Sequence, residues 1–146
     1  MRHTLPGDPA LYREIEHTAD RGIIVQAATP AALFEKAALS LYAIMVRPAG
    51  VEAREERIAR AEAEDWEDLL HHWLTEVLAI FSTDWFVAAE VTVDAIGPAS
   101  VRGTLRGERF DPARHEFESE VKAVTYHGLE VTTSHGRWQA SVIFDV

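Results

Sequence analysis

The sequence predicts an α+β layer architecture built on a largely antiparallel sheet. Three features carry that expectation. Apolar residues recur at helical spacing in the first half of the chain, alternating β-branched runs fill the second half, and helices and strands are therefore partly segregated along the sequence. With 146 residues, 47% of them hydrophobic and 26% charged, the chain has the size at which one domain with one substantial core is expected.

Residues 12–16 and 22–28 read as two strands separated by a short polar break at 17–21. Thr29 followed by Pro30 is a strong helix start: a hydroxyl that caps backbone N–H groups, then a residue whose missing N–H costs nothing in the first turn. That helix should run to about Met45, with Leu33, Ala37, Leu41, Ile44 and Met45 on a buried stripe, and end at Arg47-Pro48-Ala49-Gly50. Residues 51–64 favour helix by their Ala, Glu and Arg content but lack a helical apolar face. Asp65 and Asp68 then flank a second helix start. Trp66, Leu69, Leu70, Trp73, Leu74, Val77, Leu78 and Phe81 follow a 3.6-residue period, an amphipathic helix that packs on a sheet.

Strands are expected at 87–95, 101–108, 121–132 and 137–146, with turns at Gly97-Pro98, through Asp111-Pro112 and at Ser134-His135-Gly136. In the last strand Trp138, Ala140, Val142, Phe144 and Val146 alternate with Arg137, Gln139, Ser141, Ile143 and Asp145, which gives one core face and one mostly polar face. The first eleven residues, with Pro6, Gly7, Asp8 and Pro9 and no apolar run, resemble neither a signal peptide nor a transit helix, so a cytoplasmic location is expected.

Composition narrows the chemistry. The absence of cysteine removes disulfides, thiolate metal sites and cysteine nucleophiles, leaving His and carboxylates as the strong ligand types. A formal net charge of −10 opposes unaided binding to nucleic acid, whose affinity comes largely from counterions displaced by Lys and Arg. Neither a nucleophile elbow GxSxG nor a phosphate-cradling GxxxxGK[ST] loop is present. His71, His72, His115, His127 and His135 are scattered without the spacing of a zinc helix, and His71 and His72 read as solvated.

Two places hold groups that could bind a cation. In the break His17-Thr18-Ala19-Asp20-Arg21-Gly22, Asp20 either caps the turn or ligates a metal. At the other end Asp145 and Val146 close a strand that is still running, so that Val146 fills the core, supplies a main-chain oxygen to a cation beside the Asp145 carboxylate, or both. A shared site requires Asp20 and Asp145 to sit on adjoining sheet positions, with carboxylate oxygens within roughly 5 Å given Ca–O bonds near 2.4 Å. Lys122 is the one basic residue in an otherwise apolar and hydroxylic stretch, Val121 to His127, and reads on its own as an outward-facing strand lysine.

Three stretches in this order, Glu16-His17-Thr18-Ala19-Asp20 with Gly22, Glu120-Val121-Lys122-Ala123-Val124-Thr125-Tyr126-His127, and Val142-Ile143-Phe144-Asp145-Val146, resemble the archease family. The segment from Asp68 to Phe81 is similar to the family's second helix, and Phe110-Asp111-Pro112 to its loop before the lysine strand. The resemblance covers residues 12–146 as a single domain, leaving 1–11 as an N-terminal extension. It implies a largely antiparallel or mixed sheet packed with two helices, and a strand rather than a helix at 51–63. It implies a divalent-metal site from Asp20, Asp145 and the Val146 backbone, most naturally for Ca²⁺, with Mg²⁺ or Mn²⁺ possible. Lys122 matches a lysine needed for activation, and His17 is carried over as a neighbour of the site. Arg21 stands where the family usually has an apolar residue.

The implied function is non-catalytic: activation of the GTP-dependent RNA ligase that joins 3′-phosphate ends in tRNA splicing or RNA repair, by promoting its guanylylation and repeated turnover. RNA would be met only through the ligase, and no membrane is involved. The rivals are a chaperone-like module with a structural ion and a small metal-dependent phosphatase or nuclease using Asp20 and Asp145.

Overall fold

A computed structural model describes residues 2–4, 11–17 and 20–146. Among them are two helices and nine strands, in the order β1 (Arg2–Thr4), β2 (Arg13–His17), β3 (Asp20–Ala27), α1 (Pro30–Met45), β4 (Glu55–Glu62), α2 (Trp66–Asp84), β5 (Phe86–Gly97), β6 (Ser100–Arg109), β7 (Ala123–Val124), β8 (Glu130–Ser134) and β9 (Arg137–Asp145). They form two sheets with every pairing antiparallel. The first runs β1-β5-β6-β4; the second runs β2-β3-β9-β7, with β8 also paired to β9. The α+β class holds, and the single sheet layer expected is divided in two.

Helix α1 begins where its cap dictates, with the Thr29 hydroxyl oxygen accepting from the Ala32 N–H at 3.1 Å and Pro30 in the first turn. Twelve of its sixteen residues are buried, because it packs on β5 of one sheet and on β3 and β9 of the other. A helix apolar nearly all round needs cover on both sides. Helix α2 starts at Asp65, whose carboxylate accepts from the Asp68 N–H at 2.9 Å. Its buried face is Leu69, Leu70, Trp73, Leu74, Val77, Leu78 and Phe81. Trp73 ties the helices together by donating its indole N–H to the Phe34 carbonyl of α1 at 3.0 Å, so the buried ring leaves no orphan donor.

Residues 55–62 are a strand, as the resemblance implied and against their helix propensity: β4 pairs with β6 along its whole length, and the inward Ala59 packs on the core. Two expectations are corrected. Residues 121–132 are not one strand. Only Ala123 and Val124 pair with β9 before the chain turns through Gly128, at φ 63°, and returns as β8. The break after β2 is also shorter than read from sequence, since β2 continues to His17 and β3 begins at Asp20; Thr18 and Ala19 lie outside the described residues.

The last strand behaves as its alternation predicts. Ala140, Val142 and Phe144 are buried, and Trp138 and Val146 pack partly buried against the same core. Fully burying side chains of this kind contributes about 1.5–3 kcal/mol each. The β8–β9 hairpin turns on His135 and Gly136, both at positive φ, the arrangement that matches the right-handed twist of its strands. No helix among the described residues is long and apolar enough to cross a membrane.

Candidate metal centre and its surroundings

One rung of the second sheet gathers the residues that the sequence singled out. In the register His17 faces Asp20, Asp20 faces Asp145, and Asp145 faces Ala123. The N–H of Lys122 donates to the Asp145 carbonyl at 2.7 Å, so two consecutive residues, Lys122 and Ala123, oppose one. This is the geometry of a β-bulge, and it explains the burial pattern: Val121 and Val124 are buried while Lys122 and Ala123 are both exposed. Regular alternation would have turned one of those two residues inward. The bulge instead keeps the lysine on the surface at the edge of the Asp20–Asp145 rung.

The rung lies on the face turned away from the core. Asp20 and Asp145 alternate with Arg21 and Phe144, and the next core-side partners, Ile23 and Val142, are fully buried. Both carboxylates are half-buried, and neither makes an ion pair with a described residue. Directly opposed residues have Cβ atoms roughly 4.5–5.5 Å apart, close enough for carboxylates to share an ion, and like charges so placed are destabilising by themselves. Two carboxylates at one register position are hard oxygen donors suited to Ca²⁺ or Mg²⁺, and Val146 follows Asp145 directly in the chain. Among the described residues no group of three or more His, Asp or Glu side chains is placed to hold a metal, so main-chain oxygens or water would have to complete such a shell. The side chain of His17 lies outside the described residues, as does its expected role beside the site.

Arg21 points to the other face. Its guanidinium pairs with Glu14 on β2 and donates to the Ser119 hydroxyl at 3.0 Å, at the start of the approach to Lys122. The Arg21 charge is thus neutralised locally and ties β3 to the loop that delivers the lysine. Lys122 itself makes no ion pair among the described residues.

The short β7 is held from outside the sheet by a residue whose role the sequence did not reveal. His71 of α2, expected to be solvated, is partly buried and donates an imidazole N–H to the Val124 carbonyl at 2.9 Å. Its ring stacks on Tyr126, with centroids 3.9 Å apart and planes 10° from parallel. Its other nitrogen, Nδ1, is buried without a hydrogen-bond partner among the described residues. Nothing in the local sequence signals this contact, which spans 53 positions. His72 is exposed, with Nδ1 2.7 Å from the Glu62 carbonyl.

The loop before Lys122 is anchored by a buried ionic cluster. Glu108 accepts from the Glu52 N–H at 2.7 Å and from His115 Nε2 at 3.0 Å, and pairs with Arg114. His115 Nδ1 accepts the Asp111 N–H at 2.8 Å, which fixes the neutral tautomer with its proton toward Glu108. Burial works against the Glu108 charge, but the hydrogen bonds from Arg114, the Glu52 N–H and His115 outweigh it and hold the carboxyl below its ordinary value.

Residues 12–146 match the model of the Archease protein family (MTH1598/TM1083). The chain is 40% identical over 138 residues to the protein archease of Methanopyrus kandleri, covering 92% of this chain and 99% of that protein. It is 34% identical to the protein archease of Methanosarcina mazei, covering 97% and 100%. Its fold is similar to the solution structure of Methanobacterium thermoautotrophicum protein 1598, with a TM-score of 0.78, 34% identity, and 94% and 99% of the two chains covered. It is also similar in fold to the crystal structure of a Thermotoga maritima archease described as a possible chaperone, with a TM-score of 0.67, 24% identity, and 92% and 96% covered. A family match spanning nearly the whole chain, together with full-length relatives above 30% identity, places this protein in the archease family.

Proposed function

We propose that this protein is a metal-binding accessory factor that activates the GTP-dependent 3′-phosphate RNA ligase, promoting its guanylylation and repeated turnover in tRNA splicing or RNA repair. The observation that carries this reading is the convergence of three distant segments on one half-buried rung. Asp20 and Asp145 form a carboxylate pair there with no ion-pair partner among the described residues, and Lys122 is joined to that pair through the Asp145 carbonyl. A divalent cation, when bound, supplies fixed positive charge. Asp20, Asp145 and a main-chain oxygen of Val146 would hold it, with Ca²⁺ the best fit to an all-oxygen set and Mg²⁺ or Mn²⁺ the alternatives.

Lys122 then contributes a second positive charge from a rigid backbone position, suited to orienting phosphate groups in a partner's cleft. The protein's own surface is poorly suited to holding RNA, because its formal net charge of −10 repels a polyanion. RNA is therefore left to the ligase. The test is a multiple-turnover ligation assay with the host's 3′-phosphate RNA ligase, with and without this protein. Stimulation of turnover, lost with Asp20→Ala, supports the reading. RNA cleavage or phosphate release without the ligase would favour a metal-dependent phosphatase or nuclease instead. Suppressed aggregation of unrelated proteins without any effect on the ligase would favour a chaperone.

A further inference from the structure

Helix α2 ends on an unusual residue. Trp85 closes it in the left-handed region, φ 55° and ψ 26°, with its N–H on the Phe81 carbonyl at 2.7 Å. Glycine is the usual occupant of such a position because a side chain there is strained. Yet this residue is a tryptophan, 52% exposed, whose ring meets Phe81 at 5.4 Å and Phe110 at 6.0 Å. The left-handed backbone is a cost that glycine would remove, and half of the ring stays open to solvent.

Trp85 lines a concavity of about 430 Å³ together with Phe81, Phe117, Glu120, Val121 and Lys122. Phe117 is 44% exposed, and both its ring and that of Trp85 meet Phe110. Single exposed apolar residues are ordinary, but two large aromatics facing one groove form a patch that water solvates poorly. The groove is continuous with the Asp20–Asp145 rung through Lys122, whose N–H is bonded to Asp145. Its lining carries one carboxylate, Glu120, and one ammonium, Lys122; Glu120 is exposed and makes no ion pair or hydrogen bond among the described residues.

We infer that the groove between Trp85 and Phe117 is a docking surface for the ligase, and that it receives an apolar side chain of the ligase flanked by lysine or arginine. The inference rests on the activator reading above and adds to it the part of the molecule that supplies affinity. Aromatic side chains at the centre of a desolvated patch dominate interface energies, and charges at the rim govern encounter and register. Because Lys122 itself lines the groove, the partner that Lys122 engages also meets Trp85 and Phe117, and the Glu120 carboxylate complements a lysine or arginine beside the docked side chain. Affinity from the aromatic groove and activation from the Lys122 end are thus separable.

The experiment titrates purified ligase with wild-type protein, Trp85→Gly and Glu120→Lys, reading Kd by calorimetry and the concentration for half-maximal ligase guanylylation. Trp85→Gly removes the ring while placing the preferred residue in the left-handed position, and Glu120→Lys changes an exposed side chain with no described partner. Trp85→Gly is expected to weaken binding roughly thirty-fold, as truncated aromatic anchors do. Glu120→Lys is expected to weaken it roughly tenfold at low salt, with the deficit shrinking as salt rises. Both should reach full stimulation at saturating concentration, whereas Lys122→Ala should not recover at any concentration. If both variants bind the ligase as tightly as wild type, the inference is overturned while the activator reading stands. If wild type neither binds nor stimulates the ligase, both fall. Self-association of the wild-type protein, abolished by Trp85→Gly with no change in ligase affinity, would assign the groove to a second copy and overturn the inference.

Discussion

Asp20 and Asp145 stand directly opposite each other across β3 and β9, two carboxylates at one register position with no cation from a described residue between them. Opposed like charges cost stability, and a bound divalent ion reverses the sign of that cost. Two melting experiments therefore give opposite answers for one substitution. In EDTA, Asp20→Asn should melt at or above wild type. In Ca²⁺ at a hundred times its Kd, wild type should gain about 2.7 kcal/mol of stability and the variant little of it. A variant that melts below wild type in EDTA and responds equally to Ca²⁺ would show that Asp20 caps the turn and binds no metal.

The two halves of this rung differ in how legible they were. The α1 cap, the α2 stripe and the alternation of β9 are local patterns, and Thr29, Asp65 and Phe144 stand where their sequence neighbours put them. What pairs with what is not local. That Asp20 faces Asp145 across 125 positions became visible only in the register, although family resemblance pointed to both residues. The bulge at Lys122 and the His71 contact to β7 left no pattern at all, because each depends on backbone groups that carry no residue identity. For residues 55–62 propensity alone points to helix, because the inward positions of this strand are small, such as Ala59 and Ala61, and its other positions are mostly charged; only the resemblance gave the strand.

The Glu108 cluster makes a pH prediction with a defined sign. Its carboxyl is held below the ordinary value of 4.5, so its stabilisation is complete above that pH and is lost as pH falls through the lower folded value. Glu108→Gln should therefore melt below wild type at pH 7, by on the order of 2 kcal/mol for the lost charged hydrogen bonds. The gap should close progressively below pH 4.5. A gap that is constant from pH 7 to pH 3 would mean that the charge contributes nothing.

Tyr42, fully buried in α1, carries a hydroxyl with no hydrogen-bond partner among the described residues, and burial pushes its ionisation far upward. A desolvated, unpaired hydroxyl costs about 1–3 kcal/mol. Tyr42→Phe keeps the ring and removes that group, so it should raise stability by about 1 kcal/mol in a denaturant titration at unchanged m-value. Destabilisation of similar size would reveal a partner such as an ordered internal water.

Lys122 separates activation from folding. Its side chain is exposed and makes no ion pair among the described residues, and its bond to Asp145 uses the main-chain N–H, which alanine retains. Lys122→Ala should therefore leave the melting temperature nearly unchanged, within the roughly ±0.5 kcal/mol of an ordinary surface substitution. Ca²⁺ binding should also survive, since the ammonium is not a ligand. What should fail is formation of the ligase–GMP intermediate. A fixed charge that orients phosphates is worth several kcal/mol in a water-excluded cleft, so its removal should slow guanylylation about a hundredfold relative to wild type. Lys122→Arg, which keeps the charge and changes its shape, should recover only part of the rate. Full stimulation by the alanine variant would remove Lys122 from the mechanism. Loss of stimulation matched by loss of folding would make its role structural.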